Sequence, residues 1–361
     1  YYFSLSFYFI FMKKNKIYFK TILQIFFFII AFSTSQAKNP DKYYSGYKVS
    51  KYFSGILSYS DNNYSSSYKY LKELKGLGDI HSPYPQLYLY SLVNLDKIKE
   101  AYIFAKKLEN RRLDSFESNL VTGVYYLKNK KYNLAGKYFK KIEDQNSDTQ
   151  TLKSLLSISL NNWVSFLKLD EIEAVKLSDN LPSNLKNLKR IQDAFIHCFY
   201  ESSKTEIKFE TLLSDKKNDF SRYYFFYVNY LHKTKNEKET IEKINYALKS
   251  YPRNLILNQF KEDLVLKKTD KINNHFDCKN ISHVLAEIFY ITSNILSSQS
   301  IYSMSNFYLS LGKYLNPNFI SFDAFQAENF YMNENLEEAK NRYEKVLKGG
   351  TFYKWHASKR I

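Results

Sequence analysis

The side chains here whose types and spacing come nearest to a metal site are His275, Cys278 and His283, in a stretch rich in Lys and Asn. Zinc bound by imidazole and thiolate needs a fourth ligand. None stands at motif spacing, so the three read as a chance grouping and no metal is expected. Cys198 and Cys278 are the only cysteines. An even pair permits a disulfide in an oxidising compartment, but Cys198 shares an apolar helix pattern with Phe195 and Phe199, so it reads as a buried free thiol. His197 beside it has no nucleophile or carboxylate at motif spacing and reads as a helix-surface histidine. Gly76-Leu77-Gly78 lacks the third glycine and the strand-to-helix setting of a phosphate-binding loop. No His-Glu-x-x-His helix and no Gly-x-Ser-x-Gly elbow occurs. No catalytic residue and no cofactor is therefore expected.

The elements that carry these residues follow from composition and periodicity. At 361 residues the chain exceeds one ordinary compact core, which leaves two domains or one elongated array. Only 9 Gly and 6 Pro are present, too few for a sheet with many tight hairpins, so helices joined by short polar links fit better. The 34 Tyr and 29 Phe, with abundant Lys and Asn, point to an AT-rich genome more than to a binding specialisation. The formal charge of +17 drops to +13 without residues 1–37, whose charged side chains are Lys13, Lys14, Lys16 and Lys20. The other lysines, such as Lys69, Lys72, Lys106, Lys107, Lys130, Lys131, Lys140 and Lys141, are interspersed with Glu and read as a solvated outer face.

The first Met is Met12, after which basic residues lead into an apolar run over 22–32 and then into small and polar residues up to Ala37. That order is the layout of a secretory signal, and cleavage is expected between Ala37 and Lys38. The apolar run is about half of the roughly 20 residues that span a bilayer as a helix; an uncleaved anchor is the alternative. Residues 1–11 read as translated upstream sequence.

Residues 122–142, TGVYYLKNKKYNLAGKYFKKI, hold the clearest unit. Leu120, Val124 and Leu127 share one face of a first helix, and Leu134, Tyr138 and Ile142 share a face of a second. The small residue Ala135 recurs upstream as Ala101 and Ser67, each 34 residues apart, and Ser305 and Ala339 repeat the interval. Helices are expected over 47–59, 64–74, 86–95 and 98–108, with Pro83 and Pro85 in the link between repeats. Beyond residue 145 the spacing loosens. Helices continue over 152–166, over a short segment starting at Asp170 with Glu173 as a capping box, and over 185–200 and 206–213. The register returns over 223–252 and is followed by a helix over 254–266. The polar run 267–280 is expected to interrupt the array. Helices resume over 281–296, 302–315, 322–331 and 336–347, the last capped by Asn335 with Glu338 three residues on.

Gly123, Tyr126, Ala135 and Phe139, with Ala247, Leu248 and Pro252 at the end of a later unit and Thr240 and Ile244 within it, give the chain a resemblance to the tetratricopeptide-repeat family, of the exported bacterial kind. The resemblance covers about 45–350 and is weakest over 145–215. The Trp slot is unfilled, with Asn119 and Tyr224 there, and the Gly slot holds Val228 and Ala327 in later repeats. It implies an all-α fold, a right-handed α-solenoid of helix-turn-helix repeats over 38–361, whose first helices line a concave groove for a protein or peptide partner. On this chain the groove residues would be Leu120, Val124, Leu127, Arg222, Phe225, Asn229 and Lys233. Arg222, Asn229 and Lys233 are similar to the carboxylate-clamp variety, in which such residues hold a C-terminal carboxylate by charge-assisted hydrogen bonds. Phe225 stands where that variety has a cation.

The function expected is a non-catalytic scaffold, periplasmic or envelope-associated, with no nucleic-acid partner and membrane contact only through an uncleaved signal segment. Phe352, Tyr353 and Trp355 would make an apolar end for a solenoid, whose caps are polar outside, so a C-terminal truncation is expected. The competing reading is the recognition arm of an enzyme whose catalytic domain lies beyond Ile361.

Overall fold

The computed structural model describes residues 45–361 except 75–76, 78–80, 82, 146–151 and 216. The readings of residues 1–37 lie outside the described residues. The chain divides into units 1–50 and 51–361. Of the first unit only 45–50, at the start of one helix, are described; the rest of that helix and all later ones belong to the second.

The described residues form nineteen α-helices and no strand. Eighteen pair into nine successive hairpins: α1 (Gly46–Ser60) with α2 (Tyr64–Lys72), α3 (Pro83–Asn94) with α4 (Ile98–Asn110), and α5 (Phe116–Lys128) with α6 (Tyr132–Asp144). Then come α7 (Leu152–Phe166) with α8 (Glu171–Ser178), α9 (Lys186–Phe199) with α10 (Thr205–Leu213), and α11 (Tyr223–Thr234) with α12 (Glu237–Ser250). The last three pairs are α13 (Leu255–Val265) with α14 (Thr269–His275), α15 (Ile281–Ser298) with α16 (Tyr302–Leu315), and α17 (Ser321–Met332) with α18 (Leu336–Val346), followed by α19 (Thr351–Ser358). The architecture is the all-α solenoid of tetratricopeptide type that the repeats imply. None of the described helices is long and apolar enough to cross a membrane.

The small slots do the packing expected of them. Ser67, Ala101, Ala135, Ser305 and Ala339 are all buried on the second helices of their hairpins. Gly123 on α5 lies so close to α6 that an added Cβ would sit 2.5 Å from Phe139 Cε1. Phe139 is itself fully buried and has nowhere to go. Gly123→Val is therefore expected to lower stability by about 1–3 kcal/mol, the usual cost of overpacking, measurable by chemical denaturation.

The turns also repeat, although not through glycine. In seven of the nine hairpins one non-glycine residue takes a left-handed conformation: Asn62, Asp96, Lys130, Glu201, Lys267, Ser300 and Glu334, with φ between 51° and 61°. Asn62, Asp96 and Lys130 are 34 residues apart, as are Ser300 and Glu334. Each makes the same closure. The Lys130 N–H donates to Leu127 O and the Lys131 N–H to Tyr126 O, both at 2.9 Å, so the last carbonyls of α5 are satisfied in a Schellman pattern. A side chain is strained in this region and Gly is not, so Lys130→Gly should raise stability by up to about 1 kcal/mol after its greater freedom in the unfolded chain is deducted. An unchanged or lower denaturation midpoint would contradict this.

The row of hairpins does not stay open. α16 packs on α3 and α5, and α15 packs on α7. Tyr90 stacks on Phe307 with ring centroids 4.3 Å apart, and Lys128 Nζ donates to Leu315 O at 2.9 Å. Asp96, in the turn of the second hairpin, meets Lys313 at 3.3 Å and Arg342 at 3.1 Å. Arg342 Nη2 also donates to Asn94 O at 3.0 Å, and Tyr64 Oη to Ser303 Oγ at 3.2 Å. The eighth and ninth hairpins thus rest on the first three.

Two local expectations are corrected. The stretch 267–280 does not interrupt the array: α14 forms within it as the second helix of a hairpin with α13, started by the same left-handed turn at Lys267. Pro83 and Pro85 do not lie in a link but in the first turn of α3, where a missing N–H loses no helical bond. Both capping residues hold, with Asp170 and Glu173 closing a full capping box and the Asn335 side chain accepting from the Glu338 N–H.

Candidate partner-binding site

Of the seven residues projected onto a groove, five are buried, Arg222 is mostly so, and Lys233 is exposed. Leu120, Val124 and Leu127 share the predicted face of α5, but each is 0% exposed, on a helix packed by α4, α6 and α16. Phe225 is likewise fully buried, stacked on Phe319 at 5.2 Å and edge-on to Phe260 at 5.4 Å. Asn229 is buried beside it on α11. Lys233 Nζ donates to Phe276 O at 3.1 Å and meets Asp277 at 3.5 Å. The open-groove expectation is corrected on Leu120, Val124, Leu127, Phe225 and Asn229, which are buried, and on Arg222, whose partner is the chain's own. Phe225 is covered by Phe319, from a segment far away in sequence.

Arg222 shows the same outcome in chemical detail. It does hold a carboxylate bidentately, with Nε and Nη2 each 2.7 Å from an oxygen of Glu287. Nη1 donates to Ser321 Oγ at 2.9 Å, and the guanidinium lies 3.4 Å over the Tyr290 ring. The carboxylate is the chain's own, presented by α15, with a side chain only 1% exposed. A clamp for a foreign C-terminus is already filled.

What remains concave are two clefts on either side of the Arg222–Tyr290 pair. One, of about 340 Å³, is lined by Asn254, Ile256, Phe325, Glu328, Tyr353 and His356 among others. Its carboxylate is engaged: Glu328 accepts from Tyr343 Oη at 2.7 Å and pairs with His356 and Arg360 at 3.2 Å each. The other, of about 500 Å³, has an apolar floor of Leu155, Leu188, Ile191 and Ile291 beneath a rim of Asn187, Asn218, Asp219 and Asn294. An apolar floor with a few amide and carboxylate groups at its edge is the usual make-up of a recognition site. Neither cleft is signalled by the sequence, because their walls come from α7, α9, α11, α13, α15, α17 and α19 at once.

The cysteine and histidine readings change as well. Cys198 is not a free thiol: it forms a disulfide with Cys278, Cα atoms 5.9 Å apart, joining α9 to the connection between α14 and α15. The apolar surroundings of Cys198 are real, but the fold brings the half-buried Cys278 against them. His197 is not on the surface. It is 4% exposed, with Nδ1 2.6 Å from Glu171 and Nε2 3.4 Å from Asp193. Among the described residues no group of three or more His, Cys, Asp or Glu side chains could hold a metal ion.

His275 and His283 flank the disulfide-bearing connection. Burial, with Lys271 adding to it, pushes His275 down to about 4. Burial also pushes His283 down to about 4, with Asp277 opposing it and Lys128 and Lys233 adding to it. Unfolded imidazole titrates near 6.5, so between these values the unfolded chain binds more protons. The stability these two neutral rings contribute is present above about pH 6.5 and is lost as pH falls toward 4. Denaturation midpoints at pH 7.5 and 4.5 check this; equal midpoints would refute it.

No protein-family model matches the chain, and no curated protein sequence matches it. Solved structures resemble it only loosely. The crystal structure of yeast Tom70 is 16% identical, over 84% of this chain and 85% of that one, with a TM-score of 0.28. The human IFIT1 dimer with PPP-AAAA is 14% identical, over 85% of this chain and 69% of that one, at 0.29. A monomeric IFIT1 mutant with Gppp-AAAA is 14% identical, over 85% and 70%, at 0.27. At scores of this size the whole chains do not superpose.

Proposed function

We propose that the chain is an exported, non-catalytic scaffold of a bacterial cell envelope that holds a protein or peptide segment in the larger cleft. The observation that carries the export half is the Cys198–Cys278 disulfide. Such bonds form and persist in oxidising compartments and are rare in a reducing cytosol, in keeping with the signal-like order of residues 12–37. The partner half rests on the cleft beside Tyr290, where Ile291 and Leu188 offer apolar contact and Asn294 offers an amide to a peptide backbone, while Asn187 donates to Asn218 at 2.8 Å along the rim.

Two measurements test the two halves separately. In cells, the protein should be recovered from the envelope fraction without residues 12–37 and with no free thiol; recovery from the cytosol with both thiols free would end the export reading. A photocrosslinker at the exposed Asn294 should give discrete protein adducts in envelope extract that Ile291→Asp abolishes. Adducts unaffected by that change, or none at all from folded protein, would end the partner reading.

A further inference from the structure

The connection 276–280 sets where α15 begins, and its non-covalent ties are few. The Phe276 ring is 3% exposed, against Phe226 at 4.6 Å and Phe195 at 5.6 Å between centroids. Lys233 Nζ donates to Phe276 O, and the Asp277 N–H to His283 Nδ1 at 3.0 Å. Lys233 and Asp277 are each about a third exposed, and an ion pair of that kind is worth about 1 kcal/mol or less. Lys279 pairs with Glu201 at 2.5 Å, both of them exposed, and the Asn280 side chain accepts from the Ser282 N–H at 3.1 Å. The other tie is covalent. Its two sulfurs are unequally placed: Cys198 is 4% exposed, while Cys278 is half-buried and is followed by the exposed Lys279 and Asn280.

We propose that the Cys198–Cys278 bond is a redox latch on the start of α15, one that a dithiol reductant opens from the Cys278 side. A thiolate of the reductant attacks Cys278 Sγ, the S–S bond breaks, and Cys198 leaves as a thiolate that takes up a proton. The reductant's second thiol then displaces the mixed disulfide and frees the Cys278 thiolate, so that two electrons pass to the protein and the dithiol ends as a disulfide. The effect is local. From Val284 onward the buried residues Val284, Leu285, Ile288 and Phe289 hold α15 in place, whereas 276–280 keeps only its few non-covalent ties. Phe276 then leaves its site, uncovering an aromatic pocket walled by Phe195 and Phe226 beside the amine of Lys233. This device stands apart from the partner reading and is read on purified protein.

Limited trypsin digestion of the full chain tests it, because Lys279 lies within the latched segment. With dithiothreitol the first cut should fall after Lys279 and proceed about tenfold or more faster than in the oxidised protein, as expected when a local opening is released. The double variant Cys198→Ser/Cys278→Ser should be cut at the faster rate without reductant. A cut after Lys279 at equal rates in both redox states, a reduced protein cut throughout its length, or a double variant as resistant as the oxidised protein would each overturn the latch.

Discussion

Arg222→Ala is expected to lower the free energy of unfolding by about 3–5 kcal/mol, a large share of what holds a domain together. The reason is what it leaves behind. Glu287 sits on α15 with its carboxylate 1% exposed and both oxygens on the guanidinium. Without it, a buried charge has neither counter-ion nor water, and Tyr290 and Phe319 lose the flat group packed on them at 3.4 and 5.3 Å. The sign of the effect separates this account from the clamp account. A residue kept for a foreign carboxylate could be truncated with little change in stability, whereas here the loss appears with no partner present. Removing both charges together, as in Arg222→Met with Glu287→Leu, should restore much of the loss, since apolar replacements of a buried pair are often neutral or better. A denaturant midpoint for Arg222→Ala equal to that of the parent would refute the assignment.

The second large effect is expected from Cys198→Ala/Cys278→Ala. The bond spans 80 residues of sequence, and closing a loop of that length lowers the entropy of the unfolded chain enough to stabilise the folded one by about 4 kcal/mol in the loop-entropy account. Equilibrium unfolding of the double variant and of the parent, each with and without reductant, measures it. Parent and variant should differ without reductant and coincide with it. A variant as stable as the oxidised parent would mean that the bond constrains little.

What could be read from the sequence was whatever depends on neighbours a few turns away. Gly123 facing Phe139, the 34-residue return of Ser67, Ala101 and Ala135, and the caps at Asp170 and Asn335 are all set by spacing within one or two hairpins. The turn that closes seven hairpins carries no local mark in the sequence, because its slot holds Asn, Asp, Lys, Glu or Ser and never the glycine usually taken as its sign. The disulfide, the Arg222–Glu287 pair and the Lys128–Leu315 contact depend on residues 65 to nearly 200 positions away. No local pattern encodes which face of one hairpin another will cover. The two clefts belong to the same class, since α15 helps to wall both.

The contacts of Asp96, Asn94 and Lys128 with Arg342, Lys313 and Leu315 also govern how this chain acquires its structure. In an open array each unit needs only its neighbour, so assembly can start anywhere and spread. Here the earliest hairpins to leave the ribosome cannot bury α3 and α5 until residues some two hundred positions later have been made. Completion therefore waits on long-range closure, which slows folding and leaves apolar surface uncovered in the interval. A chaperone holding the nascent chain open would suit such a schedule, and shortening the protein from its distal end would strip the cover from its beginning.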